Sequence, residues 1–297
     1  MSTPSIRGIR HNATYATDLA HDRVGLLRAM VDFAIAAGGV VADYGLGDCT
    51  VERKADASPV TAADRTAEAV ILAGLAHAAP GIPVVAEEEV AAGRLPDVPD
   101  CFFLVDALDG TKEFINGGTD YTVNIGLIER GVPTLGVVYA PARSTVYWGD
   151  AVLGKAWRAT HPPHGSGRPA VRITVGQPKS ALCAVASKSH NTPETEAWMR
   201  AASIRRRVSI GSSLKFVLIA AGEADVYPRP APTMEWDTAA GDAVLRAAGG
   251  RVLDLDGQPL IYGKPDFFNP GFLATGLYEP APLRPFMHAA RAAEHFE

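Results

Sequence analysis

Residues 106–111 read Asp-Ala-Leu-Asp-Gly-Thr and follow the apolar run Cys101-Phe102-Phe103-Leu104-Val105. A short continuous apolar run of this kind is the pattern of a buried strand. Such a strand carries two carboxylates, Asp106 and Asp109, to its end, with Gly110 and Thr111 directly behind them. Hard oxygen donors at a turn suit a magnesium ion, which keeps water and substrate oxygens in the rest of its octahedron. Gly110 lets the main chain approach a ligand with no Cβ in the way. Thr111 adds a hydroxyl and an amide for a phosphate oxygen or a water. The same six residues also make an ordinary polar turn, so the rest of the chain has to decide between the two.

Three more acids stand where an element begins or ends. Asp64 falls in the first turn of a helix expected after Ser58-Pro59-Val60-Thr61, where the helix dipole favours a carboxylate in any case. Glu87 opens Glu87-Glu88-Glu89 after the expected strand Ile82–Ala86. Three adjacent acids read either as a solvated loop or as a cation holder. Asp237 begins a helix rich in small residues, Ala239-Ala240-Gly241, whose composition predicts close packing on a neighbour. Each acid has a local explanation. Together, Asp64, Glu87, Asp106, Asp109 and Asp237 are enough carboxylate for two or three hard cations, which is the equipment of metal-assisted phosphate displacement.

The elements that must position them alternate irregularly. A helix capped by Thr17, with Asp18 and Asp22 in its first turn, is predicted to bury Ala20, Val24, Leu27, Val31, Ala34 and Ile35 and to break at Gly38-Gly39. Strands 121–128 and 134–139 flank Glu129-Arg130-Gly131-Val132-Pro133, a hairpin signal. Strands at 146–148 and 155–157 extend that antiparallel sheet. The Pro- and Gly-rich stretch 161–167 is the clearest linker candidate, and it divides the chain into 1–160, with most metal ligands, and 161–297, with substrate-binding residues. Beyond it come a strand at 181–186, a helix from Thr192 or Pro193, a strand with a basic face at Arg205–Ile210, and a helix opened by Gly211-Ser212-Ser213. Free amides at that helix start would attract an anion, and Lys215 in its first turn, where the dipole disfavours a cation, suggests an anionic partner. A terminal helix is expected over 282–294. The pattern is a layered α+β or α/β fold with the site where the halves meet.

Composition narrows the function classes. The formal net charge of −5 excludes a generally basic surface for a nucleic acid polymer. Cys49, Cys101 and Cys183 have no metal-ligand spacing and are odd in number, which fits a reducing compartment. The first twenty residues contain no secretory apolar region, and no run approaches bilayer length. A cytoplasmic protein is expected, with monomer and homodimer both open.

The motifs taken in order resemble a known family. Glu87-Glu88, Asp106-x-Leu108-Asp109-Gly110-Thr111 and Trp236-Asp237-Thr238-Ala239-Ala240-Gly241 are similar to the paired signatures of the inositol monophosphatase superfamily, over nearly the whole chain. The resemblance implies an αβαβα sandwich and magnesium-dependent, lithium-sensitive phosphomonoester hydrolysis. Lys112-Glu113-Phe114, Ser187-Lys188-Ser189-His190, Gly211–Phe216 and Tyr227-Pro228-Arg229 look like the bacterial 3'(2'),5'-bisphosphate nucleotidases. These remove the 3'-phosphate of 3'-phosphoadenosine 5'-phosphate, a by-product of sulfate assimilation. A bisphosphate needs a second anion pocket, for which Lys215, Arg229, His190, Ser187 and the 211–213 helix start are candidates.

By that resemblance, Glu87, Asp106 and the Leu108 carbonyl would hold one Mg2+, and Asp106, Asp109 and Asp237 a second. Gly110 and Thr111 would hold the scissile phosphate, and Asp64 with Thr111 would orient or deprotonate the attacking water, with a third ion an option there. Contacts to substrate are expected from Glu87, Leu108, Asp109, Gly110, Thr111, Ser187, His190, Ser213, Lys215, Arg229 and Asp237. The family's usual proline is replaced by Ala107, which removes no ligand. Phosphatases for inositol phosphate, histidinol phosphate or fructose bisphosphate, and a non-catalytic metal or nucleotide sensor, are the alternatives.

Overall fold

The computed structural model describes residues 22–45, 51–53, 59–178, 181–187 and 192–287. The chain opens with helix α1 (Arg23–Tyr44), then the short pair β1 (Val51–Arg53) and β2 (Pro59–Thr61), helix α2 (Ala62–Ala78), β3 (Val84–Ala86), and helix α3 (Glu87–Ala91). It continues through β4 (Cys101–Asp109), helix α4 (Thr111–Ile115), β5 (Thr122–Glu129), β6 (Val132–Ala140), β7 (Thr145–Asp150), β8 (Lys155–Thr160) and β9 (Val171–Ile173). Then come β10 (Cys183–Ala186), α5 (Pro193–Ala201), β11 (Arg206–Ser209), α6 (Leu214–Ala220), β12 (Val226–Arg229), β13 (Thr233–Met234), the 3-10 turn Glu235–Asp237, and α7 (Ala239–Ala247). Strands β14 (Arg251–Leu253), β15 (Phe268–Asn269) and β16 (Phe272–Thr275) follow.

Two sheets organise these elements. Seven strands run in the order β3-β4-β5-β6-β7-β8-β9, antiparallel except for the parallel pair β3–β4. Five run in the order β11-β10-β12-β16-β14, where β11, β10 and β12 are parallel. Helices α1 and α2 cover one face of the larger sheet, with Met30, Ala34, Ile71 and Leu75 against Phe103, Ile125 and Val137. Helices α6 and α7 fill the space between the sheets, and α5 closes the outer face of the smaller one through Trp198 and Met199. The stack is α, β, α, β, α.

Glycine makes the middle of this stack thin. Gly126, Gly136 and Gly149 stand side by side across β5, β6 and β7, and α7 lies directly on them. A Cβ on Gly136 would fall 2.4 Å from the Ala240 carbonyl oxygen, and one on Gly149 2.6 Å from the Ala247 methyl. No side chain fits there, so the helix rests on the main chain of the sheet. That is the close packing its small residues predict.

Several local expectations shift. Helix α1 is capped by Asp22, whose side chain accepts from the Gly25 amide; Thr17, Asp18 and Ala20 lie outside the described residues. Val24 is 51% exposed, because the buried stripe runs through Leu26, Leu27, Met30, Ala34, Ala37 and Val41 instead. Gly38 does not break the helix; it makes room for the Tyr139 ring, 2.3 Å from where its Cβ would be. At 22 residues and a mean hydropathy of 1.8, α1 does reach the length and composition of a membrane span. In this fold its buried stripe packs on the larger sheet.

The acids 87–89 form a short helix rather than a loop. The hairpin is tight: Arg130 and Gly131 alone connect β5 to β6, both at positive φ, as a primed two-residue turn requires. Stretch 161–167 connects β8 to β9 inside the larger sheet. The basic strand is an exposed edge of the smaller sheet, with Arg207 paired to Glu196. The described C-terminal part holds a 3-10 turn, Arg284–Phe286, and residues 288–294 of the expected terminal helix lie outside the described residues.

Candidate metal and phosphate site

Three segments converge on one point. Asp106 leaves β4, Glu87 starts α3 beside it on the neighbouring strand end, and Asp237 closes the 3-10 turn that feeds α7. One oxygen from each of Glu87, Asp106 and Asp237 lies within 4.8 Å of the others. The larger sheet brings the first two together, since β3 and β4 are parallel with Ala86 opposite Val105. The glycine track brings the third, because α7 can seat low enough for Asp237 to reach β4. A break in the β4–β5 register between Asp106 and Asp109 swings the second carboxylate of the motif into the same region.

The charges oppose one another. Burial pushes Asp106 well above the ordinary carboxylate range, and Glu87, Asp109 and Asp237 push it further; only the Leu108 amide, 3.0 Å from Asp106 Oδ1, pulls it back. Burial raises Asp109 too, against the pull of Lys215 and Arg229. Asp237 is raised to about 6 by burial and by Asp109, while the hydrogen bond from Thr233 opposes the shift. Folding has gathered anions that repel one another. The donors are carboxylate oxygens and a main-chain carbonyl, with no sulfur or imidazole among the described residues of the cluster. That set fits a hard divalent cation such as magnesium.

The second motif pair sits behind the cluster. Thr61 caps α2 and binds Asp64 Oδ2 through its amide at 2.8 Å and its hydroxyl at 2.6 Å. This leaves Asp64 Oδ1 facing Thr111 Oγ1 at 3.0 Å, and Thr111 Oγ1 also lies 3.1 Å from the Leu108 carbonyl. Asp64 is therefore both a capping-box residue and a partner of Thr111; the two explanations coexist. Gly110 caps α4 with φ +97°, a conformation that L side chains rarely adopt.

A cavity of about 230 Å³ opens in front of these groups. Glu87, Asp109, Gly110, Thr111 and Asp237 line it on one side, and Ser187, Lys215 and Arg229 on the other. The parallel strands β10, β11 and β12 point their carboxyl ends at it, the usual place for a ligand in such a sheet. Asp106 and Leu108 sit behind the wall at 3% and 2% exposure. Ser213 is buried; its hydroxyl reaches the Asp237 carbonyl at 2.8 Å and Asp109 Oδ2 at 3.3 Å. His190 lies outside the described residues.

The expected anion site at 211–213 takes a different form. The Gly211 amide donates to Asp120 Oδ2 at 3.2 Å, and the Ser213 amide is bonded to Asp109. Two of the three amides are committed to the protein's own carboxylates. Lys215 does not project freely either: it is 3% exposed, and its ammonium donates to the Ser212 and Ile210 carbonyls at 2.6 and 3.4 Å while lying over the Tyr227 ring. Arg229 donates to the Ala231 and Pro232 carbonyls and to the Tyr227 hydroxyl.

Two residues of this region are absent from the expected site residues, although Lys112 belongs to a motif of the resemblance. Glu68, one helical turn after Asp64, is 2% exposed and accepts the Glu88 and Glu89 amides at 2.8 and 3.0 Å. It caps α3 from another helix, and burial raises its pKa to about 7. Its i+4 spacing from Asp64 was the available signal. Lys112 also lines the cavity; its place directly after Gly110-Thr111 was the signal there.

Layers, carboxylates and cavity together define a metal-phosphatase architecture, and the chain belongs to the inositol monophosphatase family, whose model matches residues 23–282. It is similar to the 3'(2'),5'-bisphosphate nucleotidase CysQ of Salmonella typhimurium, 45% identical over 224 residues, 75% of this chain and 87% of that relative. The crystal structure of CysQ from Bacteroides thetaiotaomicron superposes with a TM-score of 0.72 at 36% identity, covering 86% of this chain and 98% of that one. An inositol monophosphatase from Anabaena follows at a TM-score of 0.67 and 27% identity, covering 91% and 97%.

Proposed function

We infer that this chain is a 3'(2'),5'-bisphosphate nucleotidase that removes the 3'-phosphate of 3'-phosphoadenosine 5'-phosphate with the help of magnesium. The carboxylates of Glu87 and Asp237 in the wall of a cavity that Lys215 and Arg229 also line, with Asp106 gathered against them just behind that wall, are the observation that carries this reading. The similarity to proteins named for that activity supports the choice of substrate.

In this reading, Glu87, Asp106 and the Leu108 carbonyl would hold one Mg2+, Asp106, Asp109 and Asp237 would hold another, and a third ion would sit by Asp64. When bound, the ions supply a water of lowered pKa and neutralise charge on the phosphate oxygens. The chain's own groups do the rest. Thr111 Oγ1 keeps its proton toward Asp64 Oδ1 or the Leu108 carbonyl, so its lone pairs are free to accept from an incoming water. Gly110 and Thr111 offer their main chain to the scissile phosphate. Lys215, Arg229 and Lys112 place positive charge where the remaining phosphate would lie, and Ser187 adds a polar contact. Residues 1–160 then supply most of the metal side and 161–297 the substrate side.

Phosphate release measured in parallel from 3'-phosphoadenosine 5'-phosphate, myo-inositol 1-phosphate and histidinol phosphate tests the reading. We expect a preference in kcat/KM of roughly a hundredfold for the nucleotide, about 2.7 kcal/mol of transition-state binding. Equal rates would retain the metal chemistry and overturn the substrate assignment. Inhibition by lithium is expected in the same assay.

A further inference from the structure

We propose that Asp120 is a positioning residue that sets the spacing between the two sides of the cavity. The proposal rests on the reading of that cavity as a bisphosphate site. Asp120 lies in the connection between α4 and β5 and is 1% exposed. It does not line the cavity; it stands behind it and touches both sides.

The contacts are of two kinds. Through its carboxylate, Asp120 accepts the Gly211 amide at 3.2 Å and pairs with the Arg143 guanidinium. Through its main chain, it is packed against two glycines. A Cβ on Gly110 would fall 2.9 Å from the Asp120 carbonyl oxygen, and a Cβ on Gly211 would fall 2.8 Å from the same atom. One peptide is thus held between the turn beside Thr111 and the start of the segment that carries Ser212, Ser213 and Lys215. Arg143, in the turn after β6, gives the buried carboxylate its counter-charge and fixes it to the larger sheet, aided by a hydrogen bond to the Thr119 carbonyl at 3.4 Å.

The consequence concerns ligands that reach both sides. A buried carboxylate with an ion pair and an amide to satisfy holds its position closely. Asp120 transmits that position to Gly211, and so to the cations opposite the Gly110–Thr111 turn. A substrate with phosphates on both sides senses the spacing. A phosphomonoester that uses only the Gly110 side does not.

The test uses the full chain with saturating magnesium, and compares wild type with Asp120→Ala, Asp120→Asn and Arg143→Ala on 3'-phosphoadenosine 5'-phosphate and on p-nitrophenyl phosphate. Asp120→Ala is expected to raise KM for the bisphosphate by about tenfold, the scale on which the partners of a site's ligands act. Its kcat, its magnesium requirement and its kcat/KM for p-nitrophenyl phosphate should stay within a few fold of wild type. Asp120→Asn keeps an acceptor for Gly211 and should recover most of the KM. If the alanine variant fails to fold, Asp120→Asn and Arg143→Ala carry the same comparison at smaller amplitude. Equal proportional losses on both substrates, or a shifted magnesium requirement, would overturn the proposal in favour of a general structural role. An unchanged bisphosphate KM in a wild-type background that prefers the bisphosphate would overturn it alone. A wild type without that preference overturns the reading of the cavity, and this proposal with it.

Discussion

The two sides of the cavity treat buried charge in opposite ways. On the acid side, Asp106 and Asp237 lie close together; burial raises both, Asp237 and Asp109 raise Asp106 further, and Asp109 raises Asp237. On the basic side, Lys215 and Arg229 are also largely buried, yet carbonyl oxygens, a tyrosine hydroxyl and an aromatic face surround them. Unrelieved repulsion is costly to fold, and a bound cation removes it. Satisfied cations cost little and are fixed before any ligand arrives. In the proposed function, the acid side would take the added ion and the basic side, fixed in advance, the anion.

Asp106→Asn is the strongest way to break that contrast. It removes an acid-side ligand, so turnover should fall on the order of a thousandfold, about 4 kcal/mol. Yet the metal-free protein should melt no lower than wild type, because a repelling charge has gone. Retained activity, measured by phosphate release, would remove Asp106 from the metal assignment. Glu68→Ala leaves every ligand in place but uncaps α3, which carries Glu87. The magnesium concentration for half-maximal activity and the affinity for Mn2+, followed by its paramagnetic resonance, should both weaken by roughly tenfold.

Lys215→Met asks the opposite question. It strips the Ser212 and Ile210 carbonyls of their donor, so it should cost about 1–3 kcal/mol of stability in a denaturant titration as well as raising KM for the bisphosphate. Stability lost on the basic side and kept on the acid side is the signature of the comparison; the reverse pattern would invert it. The smallest effect is one of pH. Asp106, Asp109 and Asp237 all have folded-state pKa values above their unfolded ones, so the folded state binds more protons. The stability they contribute is fully present below about pH 4, and the share that Asp237 contributes is lost as pH rises through about 6. In chelator, melting temperature should decline across that window by a few degrees, and magnesium should abolish the decline. A flat metal-free profile would show that the acids are not repelling.

The acid side was largely legible in the chain because its ligands are tied to element ends. Cys101–Val105 announces a strand, and a strand must present whatever follows it, so Asp106, Asp109 and Gly110 could be placed together. Asp64 and Asp237 were each readable at a helix start. The basic side was less legible. That Lys215 would curl back onto carbonyls, and that Asp120 would take the Gly211 amide from 91 positions away, depend on how two sheets meet. Helix α1 shows the same limit locally. Leu27 and Ala34 of its expected stripe are buried, but Val24 is not, and Gly38-Gly39 reads as a break because the Tyr139 ring that occupies the gap lies about a hundred positions downstream. The layered fold itself followed from the alternation of elements and from the motifs in order.

The glycines of β5, β6 and β7 bear on how such a site can change. None of them touches a ligand, and they are separated by stretches of ordinary strand, so in a catalogue of variants they would pass for interchangeable filler. Yet a single carbon added at Gly136 must lift α7, and the turn bearing Asp237 is joined to that helix. The separation between the acids is thereby encoded in three missing side chains. It can be retuned only by paired exchanges, one on the sheet and one on the helix, which makes this floor a dial for engineering metal preference without altering a ligand.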